Sequence, residues 1–245
     1  MSYRQELETA KKAALAAGQI LIEQKNNLNK SIFSSNTDIK LEADIVAEKL
    51  IKEILNDETS FPILAEESGQ SSDQLSNIFW VVDPLDGTAN YSRNIPICCV
   101  SIALIKNMEP VLGVIYDFSN NDLYEGSVNT SAMQNGLEIK VSDISNQGEG
   151  ILITGLPNKT DYSDEALLKM VKDFQGWRKV RMIGSAAIGS VYIASGKADV
   201  YKESRTYLWD VAAGAAIVQA AGGTALIANQ NEDFQVDVYF SNSRV

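Results

Sequence analysis

The chain of 245 residues is 45% hydrophobic and 22% charged, with 16 glycines and 5 prolines, the composition of a compact folded unit and not of a disordered or collagen-like chain. Its 32 acidic residues exceed its 21 basic ones for a net charge of -11, and the basic residues do not cluster, which excludes the basic surface that nucleic acid requires. Histidine is absent, so Ser/His/Asp and Cys/His mechanisms, His-ligated zinc or haem and any imidazole base are excluded, and catalysis must use carboxylates, hydroxyls, amines or a bound cation.

From residue 4 to 25, Leu7, Ala10, Ala14, Ala17 and Leu21 recur at spacings of three and four, predicting an amphipathic helix without the features of a signal peptide. The polar stretch 31–40 reads as a mobile loop. A second helix is expected over 44–55, with Ile45, Leu50, Ile51, Ile54 and Leu55 on its apolar side. Strands follow at 61–65, 79–83, 97–105, 111–118 and 122–128, and their short connections predict an antiparallel or mixed sheet. Cys98 and Cys99 fall within this region and read as reduced thiols, since neighbours make a strained disulfide and no CxxC pair exists.

Beyond about residue 134 the pattern alternates. Strands near Ile139 and over 151–154, 179–183, 198–202 and 224–227 are interleaved with helices over 164–174, 185–195 and 209–221. This predicts one domain over 1–245, of α/β (α+β) class, with subdomains of about 1–133 and about 134–245 and a ligand cleft between them. No apolar run reaches the roughly 18 residues that span a bilayer, so the expectation is a cytoplasmic protein with no membrane partner.

The chemistry concentrates at chain turns. Residues 80–88 read as an apolar strand ending at Asp83, a backbone fixed by Pro84, a turn at Asp86 and Gly87, and a helical turn opening at Thr88. Asp83 and Asp86 converge with the Leu85 carbonyl on an all-oxygen donor set suited to Mg²⁺, and the Thr88 hydroxyl with the following N–H groups suits a phosphate. Glu66 and Glu67 follow another apolar strand, and Asp210 sits near the start of a helix of small residues, where the helix dipole favours an acid. Glu66, Asp83, Asp86 and Asp210 in one cleft would repel one another unless a cation neutralised them, and two cations would activate a water without histidine.

These segments, in this order and spacing, resemble the inositol monophosphatase family of lithium-sensitive, magnesium-dependent phosphatases: residues 66–68, 83–88 and 209–214, with lesser likeness at 38–44, Asn135-Gly136, 184–187 and 221–223. The resemblance implies a layered α-β-α-β-α sandwich, commonly homodimeric, acting on a small phosphorylated substrate with two or three Mg²⁺ per site. It implies that Glu66, Asp83 and the Leu85 carbonyl hold one Mg²⁺ and that Asp83, Asp86 and Asp210 hold a second. Gly87 and Thr88 would contact the phosphate, Thr88 with Glu66 would orient the attacking water, and Asp44 and Glu67 would lie near the metals. Gly184, Ser185, Ala186 and Glu203 match positions facing the sugar or inositol hydroxyls.

The chain also departs from the family. Glu203-Ser204-Arg205-Thr206 replaces the usual Met-Gly after the substrate-facing Glu, and strict strand alternation would put Arg205 on the side of Glu203, where it would meet a second phosphate. Glu42-Ala43 precedes Asp44 in place of the usual Thr-x-x, and the sequence ends at Val245 before the family's usual terminal helix. The leading expectation is a phosphomonoesterase for inositol monophosphate or a related polyol phosphate. The alternatives are a 3′,5′-bisphosphate nucleotidase, a fructose-1,6-bisphosphatase, and a catalytically silent binding protein of the same fold. Ala89-Asn90-Tyr91-Ser92 after the Asp-Gly-Thr stands closer to the inositol type than the Lys-Glu of nucleotide-type relatives.

Overall fold

A computed structural model describes residues 3–35, 39–72, 75–156 and 161–245. The chain begins with α1 (Arg4–Glu23), a short α2 (Lys25–Leu28), the hairpin β1 (Ser31–Ser34) and β2 (Ile39–Leu41), and α3 (Glu42–Glu58). Next come β3 (Ile63–Ala65), β4 (Gly69–Gln70), β5 (Ile78–Asp86) and a helical turn α4 (Thr88–Ser92). The meander β6 (Cys99–Lys106), β7 (Glu109–Asp117) and β8 (Asp122–Ser127) leads to two short strands, β9 (Met133–Gln134) and β10 (Leu137–Glu138). The remainder alternates: β11 (Ile151–Thr154), α5 (Asp164–Phe174), β12 (Lys179–Met182), α6 (Ala186–Ala194), β13 (Val200–Tyr207), α7 (Leu208–Ala220), β14 (Thr224–Ala228) and β15 (Gln235–Ser241).

Two mixed sheets carry the layers. The first runs β10-β9-β8-β7-β6-β5-β3-β4, with β3 and β5 parallel and its other pairs antiparallel. The second runs β12-β11-β13-β15-β14, parallel around β11 and antiparallel around β15. α1 and α3 pack on one face of the first sheet, while α7 touches strands of both sheets and is sandwiched between them with α6. α5 and the second sheet line a common cavity on the far side. The expected α-β-α-β-α sandwich is therefore present.

β5 is buried along nearly its whole length because helices cover both faces, and period-two alternation sorts its side chains. Trp80 and Val82 join the core under α1 and α3, whereas Phe79 and Val81 join the core against α6 and α7. The same alternation delivers Asp83 to the α7 side. α7 is apolar on every face from Val211 to Val218, as a helix between two sheets must be.

Three expectations change. The loop expected over 31–40 is instead the β1–β2 hairpin, whose β1 residues are all exposed and so give no alternation signal, and residues 36–38 lie outside the described residues. The strand expected near Ile139 is Leu137–Glu138 and extends the first sheet. β15, for which the residue pattern raised no expectation, is an interior strand of the second sheet, with Val236, Val238 and Phe240 buried in alternation. The two cysteines are free and buried. Among the described residues, no helix is long and apolar enough to cross a membrane.

Candidate active site

The 83–88 turn follows from its residue types. Pro84 has no N–H to give to a ladder, and the β5–β6 register shifts between Asp83 and Asp86. The freed Leu85 N–H donates to Asp83 Oδ1 at 2.9 Å. Gly87 then takes φ 89°, and a Cβ there would fall 2.7 Å from the Ile97 carbonyl oxygen, so only glycine fits. Thr88 follows, its Oγ 3.0 Å from both Asp44 Oδ1 and the Leu85 carbonyl. Asp44 in turn accepts the Leu41 N–H at 2.7 Å, tying the start of α3 to the turn.

Each remaining acid is set by an element end. Glu66 follows β3, its N–H donating to the Val82 carbonyl, and its carboxyl is hydrogen-bonded to that of Asp83. Asp86 meets the N-terminus of α6, where the Ser185 hydroxyl donates to Oδ2 at 2.5 Å and the Ala187 N–H at 2.7 Å, while the Ala186 N–H reaches Oδ1 at 3.3 Å. Asp210, in the first turn of α7, accepts the Thr206 hydroxyl at 2.8 Å and the Tyr207 N–H at 3.0 Å. Glu203, on β13, accepts the Tyr201 hydroxyl at 3.1 Å.

These groups open onto one cleft of about 500 Å³ between the sheets. It is lined by Glu66, Asp83, Asp86, Glu203 and Asp210, by the turn residues Leu85, Gly87 and Thr88, and by Gly184, Ser185 and Ala186. Among the described lining residues there is no lysine or arginine. The electrostatic consequence is uniform. Burial and then repulsion from neighbouring acids hold Glu66 and Asp83 well above the usual carboxylate range. Burial, then Asp86, pushes Asp210 up to about 7, and burial, then Asp210, pushes Glu203 up to about 8. Asp86 is also raised by burial, against the opposing hydrogen bonds from Ser185 and Ala187.

Acids buried this close together repel one another, and a bound cation would relieve that repulsion. The donor set is all oxygen and mostly anionic, which fits a hard divalent cation. As placed, no three acidic or thiol side chains among the described residues close around one point, and Asp86 and Asp210 are turned toward their own local donors.

Of the fourteen site positions that the sequence suggests, eleven line the cleft, and Asp44, Glu67 and Arg205 do not. β13 bulges between Glu203 and Thr206 in its pairing with β15, and Arg205 adopts φ 60° with its N–H on Asp237 Oδ1. The bulge breaks the alternation on which the expectation rested, so Arg205 lines a separate cavity of about 710 Å³ on the outer face of the second sheet. Asp44 and Glu67 stand behind the cleft. Asp44, raised to about 7 by burial against the Leu41 N–H, supports Thr88, and Glu67 pairs with Lys40 at 3.0 Å. Tyr201 and Thr206 line the cleft without having been expected there, although each was signalled by spacing: Tyr201 two residues before Glu203 on a strand, Thr206 four before Asp210 at a helix start.

The sequence matches the model of the Inositol monophosphatase family over residues 2–244. It is 39% identical over 216 residues to the "Nus factor SuhB" of Xylella fastidiosa, covering 86% of this chain and 78% of that protein. It is 36% identical over 224 residues to the "Inositol-1-monophosphatase" of Synechocystis sp., covering 89% of this chain and 77% of that one. The solved inositol monophosphatase of Anabaena superposes with a TM-score of 0.85 at 31% identity, over 99% of this chain and 92% of that one.

Proposed function

The chain belongs to the inositol monophosphatase family and is a phosphoric monoester hydrolase, and we propose that it cleaves phosphate monoesters of small polyols or sugars, inositol monophosphate foremost, with Mg²⁺. The observation that carries this reading is the one-signed cleft. Five carboxylates line it and no basic side chain does among the described residues, so an anionic phosphate can enter only in company with cations. Bound divalent cations would polarise a phosphoryl oxygen and lower the pKa of a coordinated water.

Glu66, Asp83 and the Leu85 carbonyl would hold one cation, and Asp83, Asp86 and Asp210 a second. The α6 N-terminus fixes the Asp86 carboxylate, and Thr206 fixes that of Asp210, so neither must be ordered when a ligand arrives. Thr88 gives its hydroxyl hydrogen to Asp44 or to the Leu85 carbonyl. In the first case its oxygen lone pairs would accept a hydrogen bond from a water whose other proton passes to the Glu66 carboxylate. Gly87 and Thr88 would meet the phosphate, and Glu203 would accept hydrogen bonds from leaving-group hydroxyls. Monophosphates are favoured over bisphosphates because Arg205, the one cation expected for a second phosphate, faces the outer cavity. The family resemblance extends the proposal to a cytoplasmic homodimer inhibited by Li⁺.

The test is phosphate release from inositol phosphates, sugar phosphates, fructose 1,6-bisphosphate and adenosine 3′,5′-bisphosphate, with Mg²⁺ and with EDTA. Release strongest on inositol monophosphate and abolished by EDTA supports the proposal. Undiminished release in EDTA overturns it.

A further inference from the structure

We propose that Gly155 and Tyr201 are positioning residues for the leaving group, acting through Glu203; the inference rests on the reading above that Glu203 meets substrate hydroxyls. Gly155 follows the last residue of β11, beside β13 in the parallel pairing of the second sheet. A Cβ built on Gly155 would lie 2.5 Å from Glu203 Oε2, 2.8 Å from Cδ and 2.9 Å from Oε1. The Glu203 carboxylate therefore occupies the space that a side chain at 155 would take. The Tyr201 hydroxyl donates to Oε2 at 3.1 Å, and its ring packs edge-on against Phe240 with centroids 5.7 Å apart. The carboxylate is seated against a bare backbone and held by a donor whose ring is buried.

That seat decides where the carboxylate can act. Glu203 lines both the acidic cleft and the outer cavity, as do Thr154, Gly155 and Leu156, so the acid stands in the wall that separates the two spaces. Nothing in the Glu203 side chain itself selects the cleft, since its rotatable bonds permit either direction. Tyr201 lines the cleft and not the outer cavity, and its hydrogen bond holds Oε2 on the cleft side. Gly155 leaves the room for that pose. The three atoms nearest a methyl group at 155 all belong to the far end of the flexible Glu203 side chain, so the fold accommodates it by moving the carboxylate, not the backbone.

The consequence is a specificity effect confined to substrates with hydroxyls on the leaving group. Gly155→Ala should raise KM for inositol monophosphate with little change in kcat, and should lower kcat/KM for it about tenfold more than for phenyl phosphate, which has no hydroxyl to offer. Tyr201→Phe, which keeps the ring packing, should move the same ratio in the same direction by a smaller factor. Equal losses on the two substrates, or an unchanged ratio in both variants, would overturn the inference. Glu203→Gln measured alongside separates the two levels. If it shifts the ratio while Gly155→Ala and Tyr201→Phe do not, the positioning role fails and the reading of Glu203 stands. If Glu203→Gln leaves the ratio unmoved, the reading of Glu203 fails and the positioning role falls with it.

Discussion

The two spaces on either side of Glu203 contain similar residue types arranged to opposite ends. In the outer cavity acids and bases are interspersed: Lys202 forms an ion pair with Asp173, and Arg205, whose backbone N–H donates to Asp237 Oδ1, lines the same space as Asp161 and Lys169. In the cleft the acids face only one another and neutral donors. Paired charges at a partly exposed surface stabilise a fold by little, whereas unpaired buried ones cost stability and persist where a ligand completes them. The contrast separates charge that serves the fold from charge that awaits a cation.

The largest expected effect comes from breaking the cleft. Asp83→Asn should lower kcat more than about a hundredfold, ~3 kcal/mol in barrier, because an amide cannot bridge two cations. The same change should leave the melting temperature of the cation-free protein equal or higher, since it removes a buried acid held against Glu66. Lys202→Met should do the reverse, retaining turnover while costing up to ~1 kcal/mol of stability, as the pair with Asp173 is partly exposed. A variant at Asp83 with more than about a tenth of normal turnover would contradict the bridging role.

A second effect follows from pH. Asp44 and Asp210 are held at about 7 and Glu203 at about 8, whereas in the unfolded chain such groups ionise near pH 4. Between those values the folded state binds more protons than the unfolded one, so this contribution to stability is greatest at low pH and is lost as pH rises toward about 8. Mg²⁺, as proposed, would bind the ionised forms. Any rise in melting temperature with Mg²⁺ should therefore grow between about pH 5 and about pH 8, and a rise independent of pH would contradict the raised pKa values.

The smallest effect concerns the bulge. Arg205 occupies the left-handed region, so Arg205→Gly should hold stability or raise it by up to ~1 kcal/mol, and should change kcat/KM for monophosphates and bisphosphates by one common factor. A selective loss on bisphosphates would return Arg205 to the substrate.

What the sequence made legible follows from where its signals are local. The 83–88 turn could be read because proline and glycine restrict the backbone by themselves, and Asp210 because acids gather at helix starts. The buried strands and helices could be read because one or both faces carry apolar residues at a fixed period. The hairpin of β1 and β2 escaped because its β1 residues are all exposed. The side of β13 on which Arg205 falls escaped for another reason: a bulge is a property of two strands in register, and β15 lies some thirty residues further along. The space that Gly155 leaves for Glu203 is likewise a relation between β11 and β13, visible only once they are paired.

The central claim is that the cleft takes phosphate only through cations. Equilibrium binding of inorganic phosphate to the protein at about pH 8, with Mg²⁺ and with EDTA, measures this without turnover, at a pH above the values of about 7 at which Asp44 and Asp210 are held. The account predicts binding with Mg²⁺ that disappears in EDTA and is lost in Asp83→Asn. Phosphate binding of equal strength in EDTA would contradict it.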